Sequence, residues 1–218
     1  KFSEGSGPAL QQWPAGLTRL EIEARRLPLS DLPRQLLHLT LIFHNPQEPT
    51  FFDQLAHLPP QLQYLRFLVE IPALTSPQPI AQLPRSLTEL YILSEVSFSS
   101  DADKIACAKA LPPKLVALSG LPILGSSAAP FLPRSLRRID VCDYSEWESL
   151  TLGPPDIENV ELSSLMPHQP SSWPGFPARM TSLSIHRPDP ALAILLPTTL
   201  KQLTVSDSLG LYGMVNLP

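Results

Sequence analysis

The chain has 218 residues, of which 43% are hydrophobic and 17% charged, with a net charge of −4. That is enough apolar material for a sizeable core in one or two domains, and an acidic pI near 5.7 provides no basic field for nucleic acid. No apolar run approaches the roughly 18 residues that a membrane span needs.

The first residues, KFSEGSGPAL, lack an initiating Met and an apolar signal core, so the chain reads as a fragment or processed product of something longer. From Trp13 onward one string keeps returning. It is WPAGLTRLEI at Trp13, LPRQLLHLTL at Leu32, LPPQLQYLRF at Leu58 and LPRSLTELYI at Leu83. It continues as LPPKLVALSG at Leu111, LPRSLRRIDV at Leu132, a degenerate GPPDIENVEL at Gly153, FPARMTSLSI at Phe176 and LPTTLKQLTV at Leu196. The closing Leu217–Pro218 resembles the start of a tenth copy. The nine aligned prolines lie 19 to 28 residues apart, about 23 on average. A period in that range carrying Leu-x-x-Leu-x-Leu is the mark of a leucine-rich repeat.

Each letter has a physical reason. The 27 prolines far exceed the usual ~5% share. Proline fixes φ and removes a donor, so it belongs before a strand and not inside one. The last two apolar letters are two residues apart and share one face of a short strand. No single copy can bury that face, whereas stacked copies form a parallel sheet over a continuous core. The inward pairs are then Leu20 and Ile22, Leu39 and Leu41, Leu65 and Phe67, and Leu90 and Ile92. They continue as Ile139 and Val141, Val160 and Leu162, Leu183 and Ile185, and Leu203 and Val205. The fifth copy has Leu118 but Gly120, so a gap, bulge or thin core is expected there. The shared Arg and Ser of LPRSL read as exposed turn residues with no common task.

Between strands, Thr50 with Asp53 reads as a capping box for a helix over Phe51–His57, and Ser100 with Asp103 opens another. The Pro/Ser-rich stretch MPHQPSSWPGFP should be extended or 3₁₀. The expected fold is therefore α/β: one solenoid domain over 1–218, with repeats beginning near 13, 32, 58, 83, 111, 132, 153, 176 and 196 and a parallel sheet on the concave face.

The LPxxLxxLxV unit resembles the LPX-type leucine-rich repeats of bacterial effectors and the proline-led FNIP-repeat group. The resemblance covers residues 13 to 205. The usual repeat carries an Asn after the strand, but the equivalent positions here are Arg25, His44, Glu70, Glu95, Tyr144, Leu165, Pro188 and Ser208, so the Asn ladder is missing. LPX effectors are often joined to a ligase domain with a Cys-x-Asp motif. Cys142 lies within a repeat strand with Asp143 directly after it, so that activity is not carried over.

In leucine-rich-repeat proteins the concave sheet usually binds, and three outward columns can be read from the alternation. The first runs Arg19, His38, Tyr64, Glu89, Ala117, Arg138, and the second Glu21, Thr40, Arg66, Tyr91, Ser119, Asp140, Glu161. The third holds Ile42, Leu68, Leu93 and Leu121, four successive apolar residues where water is expected. With Tyr64, Tyr91, Arg66, Glu89 and Arg138 around them, these form the candidate partner-binding set. The competing reading is a loop of the same chain folded over the stripe.

No catalytic constellation, phosphate loop or metal-ligand spacing is present, so neither an enzyme nor a cofactor or metal is expected. Cys107 and Cys142 read as free buried thiols. So few cysteines, with no Asn-x-Ser/Thr sequon, lean toward an intracellular compartment. The functional expectation is a non-catalytic interaction scaffold or structural subunit with a protein partner. The alternatives are the substrate-recognition arm of a ubiquitin ligase or effector, and a receptor-like sensor.

Overall fold

The structure is a computed structural model. It describes residues 13–24, 28–43, 54–69, 76–93, 98, 100–121, 127–141, 153–154, 156–162, 176–186, 196–206 and 212–216. One sheet runs through the chain in sequence order: β1 (Arg19–Ala24), β2 (His38–Phe43), β3 (Tyr64–Val69), β4 (Glu89–Leu93), β5 (Ala117–Ser119), β6 (Arg138–Val141), β7 (Asn159–Leu162), β8 (Ser182–His186), β9 (Gln202–Ser206) and β10 (Tyr212–Asn216). The first nine strands are parallel and none slips: Arg19, His38, Tyr64, Glu89, Ala117, Arg138, Asn159, Ser182 and Gln202 pair in succession. The degenerate seventh copy sits in register like the others. This is the leucine-rich-repeat solenoid that the period predicts.

Backbone hydrogen bonds explain how the proline string sets that register. Eight of the nine repeat prolines offer their carbonyl to the N–H three residues on, as Pro33 to Leu36, Pro84 to Leu87 and Pro133 to Leu136, all at 3.1 Å. The chain then turns into the strand, and two successive N–H groups share one carbonyl of the preceding repeat. Gln63 and Tyr64 both donate to Leu37 O, at 2.8 and 3.0 Å, and Thr88 and Glu89 to Gln63 O at the same distances. The pattern recurs from Thr18 O through Thr181 O. These shared carbonyls satisfy the paired N–H groups at each described turn into a strand.

The serine of LPRSL proves to have a shared task. Ser86 Oγ lies 2.8 Å from Pro60 O and 2.6 Å from Leu62 O. Ser135 Oγ lies 2.9 Å from Pro113 O and 2.7 Å from Leu115 O. In both copies the hydroxyl clasps the turn of the preceding repeat. A hydroxyl at this letter bonds across space to a chain segment that the local string does not contain, so turn preference alone was an incomplete reading. Thr199 repeats the contact on Met180 O at 2.8 Å. Replacing Ser86 or Ser135 with Ala should lower unfolding free energy by about 1 kcal/mol each, read from urea denaturation.

The core is a set of columns. The leucine before each proline (Leu32, Leu58, Leu83, Leu111, Leu132), the apolar residue three after it (Leu36, Leu62, Leu87, Leu115, Leu136, Ile157, Met180, Leu200) and the inward strand residues form one buried cluster. Leu203 and Val205 are only half-buried, because β9 has a parallel neighbour on one side alone.

Gly120 breaks the alternation and the structure repairs it. Its φ is +81°, and a Cβ placed on it would lie 1.5 Å from Ile92 O. The backbone thus fills the place of the missing side chain. β5 stops at Ser119, and the phase shift turns Leu121 inward, where it is 3% exposed.

On the return path, α2 (Asp101–Ala110) begins at Ser100, whose hydroxyl accepts from Asp103 N at 3.2 Å and bonds Asp103 Oδ2 at 2.7 Å, as the capping box predicts. A short helix that the sequence reading missed, α1 (Gln78–Ala81), precedes it with Pro in its first turn. Of the helix expected over Phe51–His57, residues 54–57 form a 3₁₀ turn and the rest lies outside the described residues. Other 3₁₀ turns occupy Leu29–Asp31 and Ala129–Phe131 in the shorter repeats. Most of MPHQPSSWPGFP, and the terminal Leu217–Pro218, also lie outside.

β10 was not foreseen. It pairs antiparallel with β9, Tyr212 opposite Ser206 and Asn216 opposite Gln202. The link of five residues between them is too short for a parallel crossover and suits a hairpin.

Candidate functional site: the concave face of β2 to β7

The pairing register places the three outward columns side by side. Ile42, Leu68 and Leu93 are direct cross-strand partners on β2, β3 and β4. Ile42 and Leu68 are half-buried and Leu93 is 44% exposed, so the stripe reaches solvent. Leu121 does not continue it. The shift at Gly120 that sends Leu121 into the core shortens the predicted stripe from four residues to three.

The aromatic residues form a run across the same strands. His38 stacks on Tyr64 with ring centroids 5.6 Å apart and planes at 27°, and Tyr64 meets Tyr91 at 5.5 Å and 38°. Tyr64 and Tyr91 belong to different columns, so the run is diagonal and brings Tyr91 beside Leu93. The Tyr91 phenol donates to Glu89 Oε2 at 3.0 Å. Burial raises its pKa above the usual tyrosine value, the Glu89 carboxylate adds to that, and the nearby Arg138 opposes it. Arg138 is the cross-strand partner of Ala117, which is itself the partner of Glu89. The Glu89–Tyr91–Arg138 chain therefore spans β5, and Ala117 beneath it is 4% exposed although its column faces outward.

Beside that bridge lies a cavity of about 240 Å³, lined by Tyr64, Arg66, Tyr91, Leu93, Leu118, Ser119, Arg138, Ile139, Asp140 and Glu161. Five of the nine predicted residues (Tyr64, Arg66, Tyr91, Leu93 and Arg138) meet here. Glu89 touches the site through Tyr91, and Ile42 and Leu68 extend it along the stripe. Ser119, Asp140 and Glu161 were not among the predicted set. Ser119 Oγ donates to Asp140 Oδ2 at 2.8 Å, and Asp140 is the cross-strand partner of Glu161. The second column already placed these three in line with Arg66 and Tyr91. An eye for apolar surface passed over them because they are polar.

Chemically the site offers aromatic rings, an apolar edge and charges of both signs. Among the described residues no group of three His, Cys, Asp or Glu could hold a metal. His57 is exposed on its turn, and His38 stacks on Tyr64. Cys107 is a free, buried thiol on α2 whose pKa burial pushes up to about 12, so it is poorly suited to nucleophilic work at neutral pH. Cys142 lies outside the described residues. No described helix is long and apolar enough to cross a membrane.

No family model matches the chain, and no curated protein matches it. Among solved structures, the leucine-rich repeat-containing protein LegL7 from Legionella pneumophila is similar, with 14% identity and a TM-score of 0.51 over 92% of this chain and 86% of that one. At that identity the likeness concerns the fold, which it and the unbroken nine-strand parallel register together establish as a leucine-rich repeat.

Proposed function

We propose that this chain is a protein-interaction scaffold, a single repeat domain that binds a partner through the concave surface of β2 to β7. The observation that carries the reading is the diagonal run His38–Tyr64–Tyr91 set against the Ile42–Leu68–Leu93 stripe, with a cavity of about 240 Å³ at its end. Tyrosine and arginine around an apolar centre supply large, rigid contact area and directional polar groups, the composition of binding hot spots. Among the described side chains, the face beyond β7 carries Ser182, Ser184, Gln202 and Thr204, small or polar groups in place of such anchors. The same surface would serve a scaffold subunit or the recognition arm of a larger enzyme.

The test is a quantitative pull-down comparing wild type with Leu68→Glu/Leu93→Glu, with circular dichroism as the folding control. The double variant is expected to fold and to lose at least about tenfold in recovered partner, since buried hot-spot contacts are worth 2 kcal/mol or more. A folded variant that keeps every partner refutes the concave site. A variant that unfolds assigns the stripe to the core.

A further inference from the structure

The arginines of the repeat turns line one edge of the solenoid. Arg34, Arg85 and Arg134 each follow a repeat proline and stand four residues ahead of a strand start. Those starts, His38, Glu89 and Arg138, belong to one row of the sheet register. The arginines therefore hold one letter in repeats two, four and six, two strand steps apart, roughly 10 Å each. Pro60 and Pro113 hold the same letter in the repeats between, and all five residues are exposed. Lys114, also exposed, adds a cation between Arg85 and Arg134. Proline-fixed turns, stacked through the shared carbonyls, fix the backbone that carries the row.

The charge of this row is of one sign, in a chain whose net charge is −4. The turn strings LPRQLL, LPPQLQ, LPRSLT, LPPKLV and LPRSLR contain no Asp or Glu. Among the described residues Arg34, Lys114 and Arg134 enter no ion pair, and Arg85 reaches the Leu111 carbonyl at 3.5 Å. Arg137 and Arg179 differ: Asp156 pairs with both, and Glu158 with Arg137. Asp31 thus stands at one end of the positive stretch and Asp156 with Glu158 at the other. Between them lie five repeats, roughly 20 Å.

The same edge is apolar where it meets water. Of the three large hydrophobic side chains exposed among the described residues, Leu93 belongs to the concave face. The other two belong here: Val116, 40% exposed, two residues after Lys114, and Phe131, 42% exposed, three residues before Arg134. The Lys109 ammonium, near the end of α2, lies 4.4 Å from the Phe131 ring centroid, and the ring stays open to solvent. Cations beside exposed apolar groups suit a segment that carries carboxylates and an apolar anchor together. An anionic membrane or a nucleic acid would meet the acidic ends of the row and the chain's own negative charge, whereas a short acidic segment fits between them.

We propose that this turn edge of repeats two to six is a second docking surface, separate from the concave face, that takes an extended acidic segment of a partner protein. Carboxylates of the segment pair with Arg34, Arg85 and Arg134, and its apolar side chains rest on Phe131 and Val116. The arginine spacing sets the register. Three residues of polyproline-II chain cover roughly 9 Å and return to the same face, so the carboxylates stand three residues apart.

Random twelve-residue peptides displayed on phage, selected against the intact chain, test this. Enriched peptides are expected to carry Asp or Glu three residues apart with an aromatic or aliphatic residue, and to bind more weakly as salt rises. The Arg34→Gln/Arg85→Gln/Arg134→Gln variant alters only exposed side chains, with circular dichroism as the folding control. It should bind the peptides at least about tenfold more weakly, the combined worth of three exposed ion pairs. Phe131→Ala should weaken them about fivefold, and Leu93→Ser, on the concave face, should leave them unchanged. Absence of acidic enrichment, or acidic peptides that bind the Gln variant as tightly as wild type, overturns the turn-edge site. Loss of their binding in Leu93→Ser also overturns it, by moving them to the concave face. Cosedimentation with phosphatidylserine vesicles that the three Gln substitutions abolish overturns it in favour of a membrane. The concave surface stands or falls separately, because its own test uses other residues.

Discussion

Gly120→Ala is expected to destabilise the chain by more than about 3 kcal/mol. Two costs add at this position. The backbone has φ +81°, which an L side chain adopts only under strain. The added methyl would also sit 1.5 Å from the Ile92 carbonyl oxygen, with Ile92 C at 2.6 Å. Those atoms are backbone in the neighbouring repeat and cannot swing aside. Relief would require β4 and β5 to separate, which would loosen Leu121 from the core and distort the concave cavity beside it. Urea denaturation followed by circular dichroism reads the loss. The control is Gly16→Ala: its φ of +87° is also positive, but nothing lies within 4 Å of the added Cβ, so only the conformational cost remains. Equal losses at the two glycines would refute the close-approach account.

Leu87→Ala should cost about 2–5 kcal/mol, the range for a buried leucine truncated to leave a cavity. Leu87 is fully buried, in the column it shares with Leu62 and Leu115 in the repeats on either side. Its backbone N–H closes the Pro84 turn, so the side chain and the turn are held together. In a stack of repeats the damage falls on two interfaces, one above and one below. Leu203→Ala should cost well under half as much, because Leu203 is half-buried in the last parallel repeat. Comparable losses at both positions would argue against stability built from neighbouring interfaces.

The fold was legible because its determinants are periodic. Proline can occupy only the approach to a strand, and Leu-x-x-Leu-x-Leu can bury its face only by stacking, so nine copies imply one architecture and its register. The capping box at Ser100 was legible for the same reason, since its partners are three residues apart. The candidate site was half legible. The columns followed from alternation, but alternation holds only while the strand continues. Gly120 ends β5 and changes the phase, so Leu121 left the predicted stripe. The Ser86 and Ser135 clasps, the Glu89–Tyr91–Arg138 bridge and the diagonal contact of Tyr64 with Tyr91 join residues in different columns or repeats, which a string read one line at a time does not bring together. β10 escaped because it carries none of the repeat letters.

The shared-carbonyl ladder has a mechanical consequence. Each repeat is tied to the next by its own strand pairing, its paired N–H groups at the turn and, at two of the junctions, a serine hydroxyl, and the described strands pair only with their neighbours in sequence. Pulled from its ends, every junction carries the same load, and the weakest is expected to yield first. Each such event should pay out roughly 23 residues, about 80 Å of chain, while the remaining repeats stay folded, which single-molecule force spectroscopy would read as evenly spaced steps.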